Sequence, residues 1–437
     1  MARAAGLDWL YALQHFGIKL GLRNIQELLS RLGNPHHGLP CAHVAGTNGK
    51  GSVSLLLSEI GRHSGYRVGL YTSPHLQSFN ERIQIDGRPL PDDELTALLA
   101  QVRQAATGIP VTFFEAATAL ALLAFHRAGV DFAVIETGMG GRLDATNVVE
   151  PKLCCITPVG LDHQEHLGAT LAAIAAEKAG IIKTGVPVIT AGQTPEVDAV
   201  LAAAAARHGA ELWRAGRDYQ WGGDYANLWF NGPGLALDGL TCALQGEHQL
   251  DNFAQAITAA ALLRRQGMSI PEEAIRRAGS SARWPGRLEW FGAPPRVLLD
   301  GAHNRLGATA LASYLQARGT GPVHLVAGLS GQRTPDEVLA PLLPVVTSLY
   351  VTPVPEVATV PPEAIAAWGE THGLLARTFA VPAPALAAAL AACREEEIVV
   401  VAGSLYLVAA VRSLLLDERI LPSFREDGDS ESAGSGR

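Results

Sequence analysis

Cys41-Ala42-His43-Val44-Ala45-Gly46-Thr47-Asn48-Gly49-Lys50-Gly51-Ser52 places five residues of strand character before a glycine-rich turn, and the turn leads straight into the apolar series Val53 to Arg62. Strand, tight turn and helix in that order form a phosphate cradle. The N–H groups of such a turn and of the helix N-terminus point at an anion. Lys50 then supplies a compact charge for the β- and γ-phosphates, and Ser52 a hydroxyl toward a metal ion. The candidate nucleotide-binding residues are Gly46, Thr47, Asn48, Gly49, Lys50, Gly51 and Ser52, with ATP as the expected ligand. The spacing is shorter than the usual G-x-x-x-x-G-K-[ST], and the loop alone would suit a motor, a switch or a kinase equally well.

Working outward, short apolar runs alternate with segments of helical period, which predicts βα units and a mostly parallel sheet. Strands are expected at 41–45, 67–71, 132–136, 153–157 and 186–190, with helices at 53–62, 112–127, 171–182 and 195–208. Ligands of such a sheet sit beyond the carboxyl ends of its strands. From Trp213 to Gln245 the pattern turns short, aromatic and glycine-rich, which predicts a small antiparallel elaboration. A helix follows from about Asn252 to Gln266, then the turn-rich Arg283-Trp284-Pro285-Gly286-Arg287, read as a domain junction. A second βα series follows, with strands at 296–300, 324–327, 348–351 and 398–402. The fold class is therefore α/β: a P-loop-type, mostly parallel sheet flanked by helices in a large N-terminal domain (1–286), a smaller Rossmann-like α/β domain (287–420), and a polar, disordered tail (421–437).

The chain has 437 residues, more than one core usually organises, so two globular parts are expected. Its formal charge of -8, without a long basic run, lacks the electrostatic footprint of a nucleic-acid binder. No segment reads as a signal peptide or membrane span, which points to the cytoplasm and away from a membrane. Five cysteines without C-x-x-C spacing indicate neither a disulfide framework nor a zinc site.

Further motifs lie along the chain in order: Leu32-Gly33-Asn34-Pro35, Tyr71-Thr72-Ser73-Pro74-His75-Leu76 with Phe79-Asn80-Glu81-Arg82-Ile83, Gly140-Gly141-Arg142-Leu143-Asp144-Ala145-Thr146-Asn147, Leu161-Asp162-His163 with Glu177-Lys178-Ala179-Gly180-Ile181, Pro285-Gly286-Arg287, and Asp300-Gly301-Ala302-His303-Asn304. Together with the loop, these resemble the folylpolyglutamate synthases and dihydrofolate synthases of the Mur ligase superfamily, from about residue 17 to Arg412. The resemblance implies ATP-dependent ligation of L-glutamate to dihydropteroate and to tetrahydrofolate (poly)glutamates through an acyl phosphate. The alternatives are a folylpolyglutamate synthase without dihydrofolate synthase activity, a cell-wall amino-acid ligase of the same superfamily, and a P-loop ATPase or switch. Relatives are commonly monomers.

The resemblance also implies roles. Ser73, Glu136 and His163 match magnesium-binding positions. Each also has an ordinary reading: a turn before Pro74, a salt-bridged strand end, an isolated loop histidine. Lys178 matches a lysine carbamylated by carbon dioxide that helps hold one of two magnesium ions, although a solvated charge pair with Glu177 is its ordinary reading. Thr112, Phe114, Arg142 and Asp144 match a dihydropteroate pocket, with helix-face packing open for Phe114. Arg287 is expected at the phosphates, Asp300 and His303 near the ribose and base, and Asn252 at the nucleotide. Lys50, Lys178, His163 and Arg287 are the expected catalytic groups. Two departures stand out. Leu329-Ser330-Gly331-Gln332-Arg333 replaces a usual Asp-Lys-Asp, and Arg305 follows Asn304 where proline is frequent.

Overall fold

The computed structural model describes residues 6–16, 21–294, 296–331 and 333–417. The expected tail at 421–437 lies outside them, as does Gln332 of the departing loop. The described chain falls into two compact units, one of residues up to Ala243 plus His248–Arg283, the other of Leu244–Glu247 plus residues from Trp284 on.

The first unit is built on eight strands in the order Arg88–Pro89, Ile83–Ile85, Val68–Tyr71, Phe132–Glu136, Cys41–Ala45, Leu153–Ile156, Val188–Thr190, Leu212–Arg214. The last six run parallel, and the first two form an antiparallel edge. Cys41–Ala45, Val68–Tyr71, Phe132–Glu136 and Leu153–Ile156 are buried at every position. Continuous apolar runs of this kind are what a parallel sheet covered on both faces requires. Register puts Val44 beside Glu136 and Ala45 beside Ile156, so the turn after Ala45 opens at the middle of the carboxyl edge.

Several sequence expectations shift in detail. The helix expected at 53–62 begins at Lys50 and runs to His63, and the helix expected from Asn252 begins at Glu247. Thr112 is the cap of helix Phe113–Ala128 instead of its first residue. The helix expected over 171–182 stops at Ala179, where Gly180 caps it. Leu212–Arg214 joins the main sheet beside Val188–Thr190, so the antiparallel elaboration is confined to Gln220–Gly223, Leu228–Gly232 and Leu235–Leu240. Helices Arg23–Arg31, Asp92–Ala105 and Glu272–Ser281 were not anticipated.

The second unit carries six strands in the order Glu289–Phe291, Val297–Leu299, Ile398–Ala402, Val323–Ala327, Val346–Val351, Leu375–Thr378, all parallel except the first. Leu298, Leu325, Leu349 and Val400 are fully buried at its centre. Helices including Arg305–Arg318, Pro362–Thr371, Pro382–Ala392 and Leu405–Leu416 accompany them, which is the expected smaller α/β architecture.

One close approach fixes how helix Phe113–Ala128 lies on the main sheet. A Cβ on Gly69 would come within 2.7 Å of the Phe125 ring, so the strand accepts the ring only as glycine. Gly69→Ala should cost about 1–3 kcal/mol through overpacking. The expected result is a lower denaturant midpoint of the first unit's transition; an unchanged midpoint would contradict the close packing.

Candidate functional site

The phosphate loop is held open by its neighbours. Gly46 has φ 150°, and a Cβ there would overlap the Thr157 side chain. Gly49, at φ 87°, is the N-cap of helix Lys50–His63 and makes no side-chain cap bond. The first-turn amides of that helix therefore lack a capping side chain, the arrangement an anion needs. A Cβ on Gly49 would press on Asn252, which places that expected nucleotide ligand against the loop. Asn252 is itself buried, and its amide donates to Gln249 Oε1 at 2.9 Å.

Thr47 turns out to be an anchor. Its N–H donates to Pro158 O at 2.9 Å. Its hydroxyl donates to Gly160 O at 3.1 Å and accepts from Gly160 N at 3.0 Å. These bonds tie the phosphate loop to the segment carrying Asp162 and His163.

Lys50, Ser73 and Glu136 meet at the carboxyl edge. Glu136 ends its strand, buried, and its Oε2 accepts from Ser73 N at 3.2 Å while Oε1 lies 3.9 Å from Lys50 Nζ. Lys50 Nζ also donates to Thr47 O at 3.1 Å. Lys178 reaches the same loop: it is only 3% exposed, and its Nζ donates to Gly46 O at 2.6 Å. The solvated charge pair with Glu177 is therefore not what the fold makes of it. Burial, reinforced by the Lys50 charge, lowers the Lys178 ammonium to about 7, against the opposing pull of Asp162 and Asp144. His163 has φ 50° and caps the short helix Gln164–Leu167. Its ring is 44% exposed, with Nε2 3.9 Å from Asp162 Oδ1.

The expected acceptor pocket is less uniform. A Cβ on Gly138 would strike the Phe114 ring, which also tilts against Tyr71 at 6.1 Å, so Phe114 packs where the loop begins. Asp144 is buried, and its Oδ2 accepts from Met139 N at 2.9 Å while Oδ1 accepts from Thr146 N at 3.0 Å. Burial raises its pKa against those hydrogen bonds. Arg142 leans on Glu177, its Nη2 at 2.8 Å from Oε1, and its N–H donates to Glu177 O. Thr112 is engaged at the helix start, where its hydroxyl donates to Glu115 Oε2 at 2.9 Å in a capping box. The Thr112-x-x-Glu115 spacing carried that signal in the sequence. Nothing in the spacing of Arg142 and Glu177 announced their pairing.

In the second unit, Asp300 Oδ2 accepts from Leu288 N at 3.0 Å and Oδ1 from Ala302 N at 2.9 Å. His303 Nδ1 lies 2.8 Å from Gly301 O. The Arg287 guanidinium occupies the space a Cβ on Gly301 would need. Glu289 holds the Pro285-Gly286-Arg287 turn through Gly286 N at 2.7 Å and is itself clamped by Arg412 at 2.9–3.0 Å.

Residues 44–260 match the Mur ligase middle domain and residues 286–405 the Mur ligase glutamate ligase domain. The chain is 40% identical to the dihydrofolate synthase/folylpolyglutamate synthase of Bacillus subtilis, over 71% of this chain and 75% of that protein. It is 37% identical to the folylpolyglutamate synthase of Lacticaseibacillus casei, over 90% of this chain and 94% of that one. This chain belongs to the folylpolyglutamate synthase/dihydrofolate synthase family of Mur ligases. A solved structure of Escherichia coli FolC in complex with DHPP and ADP superposes with a TM-score of 0.87 at 33% identity, covering 96% of this chain and all of that one. A Mycobacterium tuberculosis folylpolyglutamate synthase complexed with ADP superposes with a TM-score of 0.87 at 32% identity, over 94% of this chain and 98% of that one. Among the described residues, no helix is long and apolar enough to cross a membrane.

Under the loop, burial holds the His43 imidazole down at about 3 from 6.5. As pH falls below 6.5 the unfolded chain binds a proton there that the folded chain does not, so stability falls with pH until about 3. Between pH 7 and pH 5 this one group removes about 2 kcal/mol. Denaturant unfolding of the first unit at both pH values should show that loss shrinking by about this amount in His43→Gln; an equal loss in both proteins would refute the buried neutral imidazole.

Proposed function

We propose that this chain catalyses ATP-dependent ligation of L-glutamate to dihydropteroate and to tetrahydrofolate (poly)glutamates. The observation that carries this reading is the convergence of Lys50, Glu136, the Ser73 amide and buried Lys178 on one uncapped helix N-terminus, in a chain of this family. The domain reading follows: 1–286 as the ATP-binding domain, 287–420 as the C-terminal Mur ligase domain. The enzyme is taken as a cytoplasmic monomer with small-molecule partners only.

The acceptor carboxylate attacks the γ-phosphorus of ATP and ADP departs. The glutamate amine then adds to the acyl carbon, and phosphate leaves the tetrahedral intermediate with the C–N bond formed. Lys50 and the first-turn amides face the phosphates and offset charge that accumulates during transfer. Arg287, Asp300 and His303 are assigned to the nucleotide on the resemblance alone.

Among the described residues no three His, Cys, Asp or Glu side chains cluster to hold a metal. Magnesium does not need such a cage, since it takes one or two carboxylates with waters and phosphate oxygens, and buried Glu136 beside the loop fits that pattern. Glu136, the Ser73 hydroxyl, His163 and a carbamate on Lys178 would hold magnesium, which supplies positive charge to the phosphate oxygens. A lysine lowered to about 7 is neutral in a large fraction at pH 7, and only the neutral amine adds carbon dioxide to give the carbamate and a proton.

Purified protein with ATP, magnesium and glutamate should release phosphate and form product only when dihydropteroate or tetrahydrofolate is added. Acceptor-independent release would favour a switch, product from tetrahydrofolate alone would reduce the activity to polyglutamylation, and no product from either would end the ligase assignment. Lys178→Ala should lose at least about tenfold in kcat and regain part of it with short carboxylates; a fully active variant would remove the carbamate from the mechanism.

A further inference from the structure

His43 lies in the strand beneath the phosphate loop, fully buried, and the proposed chemistry does not use it. Its Nε2 is 2.8 Å from Thr146 Oγ1, and Thr146 Oγ1 is 2.5 Å from Asp144 Oδ1. An ionised carboxylate only accepts, so the Thr146 hydroxyl donates to Asp144 and its oxygen is left to accept. His43 must then carry its hydrogen on Nε2. The opposite nitrogen, Nδ1, is buried with no hydrogen-bond partner among the described residues, which fits a ring nitrogen that carries no hydrogen. Burial keeps the ring neutral, so this donor–donor–acceptor direction persists across the working pH range.

The relay ends on Asp144, a carboxylate that organises the loop Gly138 to Asp144. Asp144 gathers Met139 N and Thr146 N, while the same loop meets Phe114 at Gly138 and Glu177 at Arg142. We propose that His43 and Thr146 are positioning residues for the folate-type acceptor: their relay sets the placement of Asp144 and its loop, and so governs acceptor binding while leaving nucleotide binding unchanged. The proposal rests on the reading of Asp144 as an acceptor-binding residue. Burial makes each member costly to leave unpaired, which is why one lost hydroxyl is felt at the loop.

Calorimetric titration of dihydropteroate and, separately, of ADP into the full chain tests it, with variants screened for native unfolding. Thr146→Val keeps the side-chain shape and removes the hydroxyl; it should weaken dihydropteroate binding about tenfold and leave ADP binding unchanged. Thr146→Ser and His43→Gln retain a hydroxyl and a donor and should restore most of the acceptor affinity. A parallel loss of both ligands in Thr146→Val, or no loss of either, would overturn the proposal, as would failure of Thr146→Ser to restore binding. Asp144→Asn separates the two layers. If it too leaves dihydropteroate binding intact, the acceptor role of Asp144 falls and the relay with it; if it weakens binding while Thr146→Val does not, only the relay is wrong.

Discussion

The hydrogen bond from Lys178 Nζ to the carbonyl of Gly46 joins the end of helix Leu171–Ala179 to the first residue of the phosphate loop, across a distance in sequence that no local propensity could bridge. Sealing an amine this deeply disfavours its charged form, and Lys50 nearby disfavours it further. The amine is tolerated because it is hydrogen-bonded and because Asp162 and Asp144 pull in the other direction. The loop gains a fixed carbonyl, and the site gains a lysine whose charged form is disfavoured by burial.

Around that contact the loops of the carboxyl edge are fastened in pairs. Thr47 locks the phosphate loop to Gly160, Arg142 locks the Asp144 loop to Glu177, and Glu136 bridges Ser73 to Lys50. Glu136 is buried and Thr47 is fastened to backbone partners, so these two have little freedom left to lose when a ligand arrives, whereas the Arg142 side chain stays 56% exposed. Such preorganisation suits a reaction with no covalent enzyme nucleophile, where positioning and charge supply the catalysis.

The architecture was legible because it rests on local signals. Five strand-forming residues before Gly46, and alternating apolar runs and helical periods after it, predict a parallel α/β sheet, and the strand at 398–402 is found where expected. Boundaries moved where capping or pairing decides them: Gly180 ends its helix early, and Trp213 belongs to a sheet strand because Ile189 is there to pair with it. The site was legible as residue types more than as contacts. Thr47 reads as a phosphate ligand from the motif, yet its donor groups are spent on Pro158 and Gly160, residues over a hundred positions away. Arg142 and Asp144 read as pocket residues, and their partners Glu177 and Thr146 become visible only once the chain is folded. Thr146 and His43 lie within the motif stretches but take no role from the sequence, since a lone histidine in an apolar strand ordinarily means core packing.

In the proposed reaction an acyl phosphate connects ATP to the new amide bond. Turnover of an acceptor labelled with 18O in its carboxyl group measures this directly, because attack by that carboxylate on the γ-phosphorus carries one of its oxygens into the released phosphate. The expected result is 18O in the inorganic phosphate, dependent on acceptor and ATP together; product formed with unlabelled phosphate would rule the acyl phosphate out.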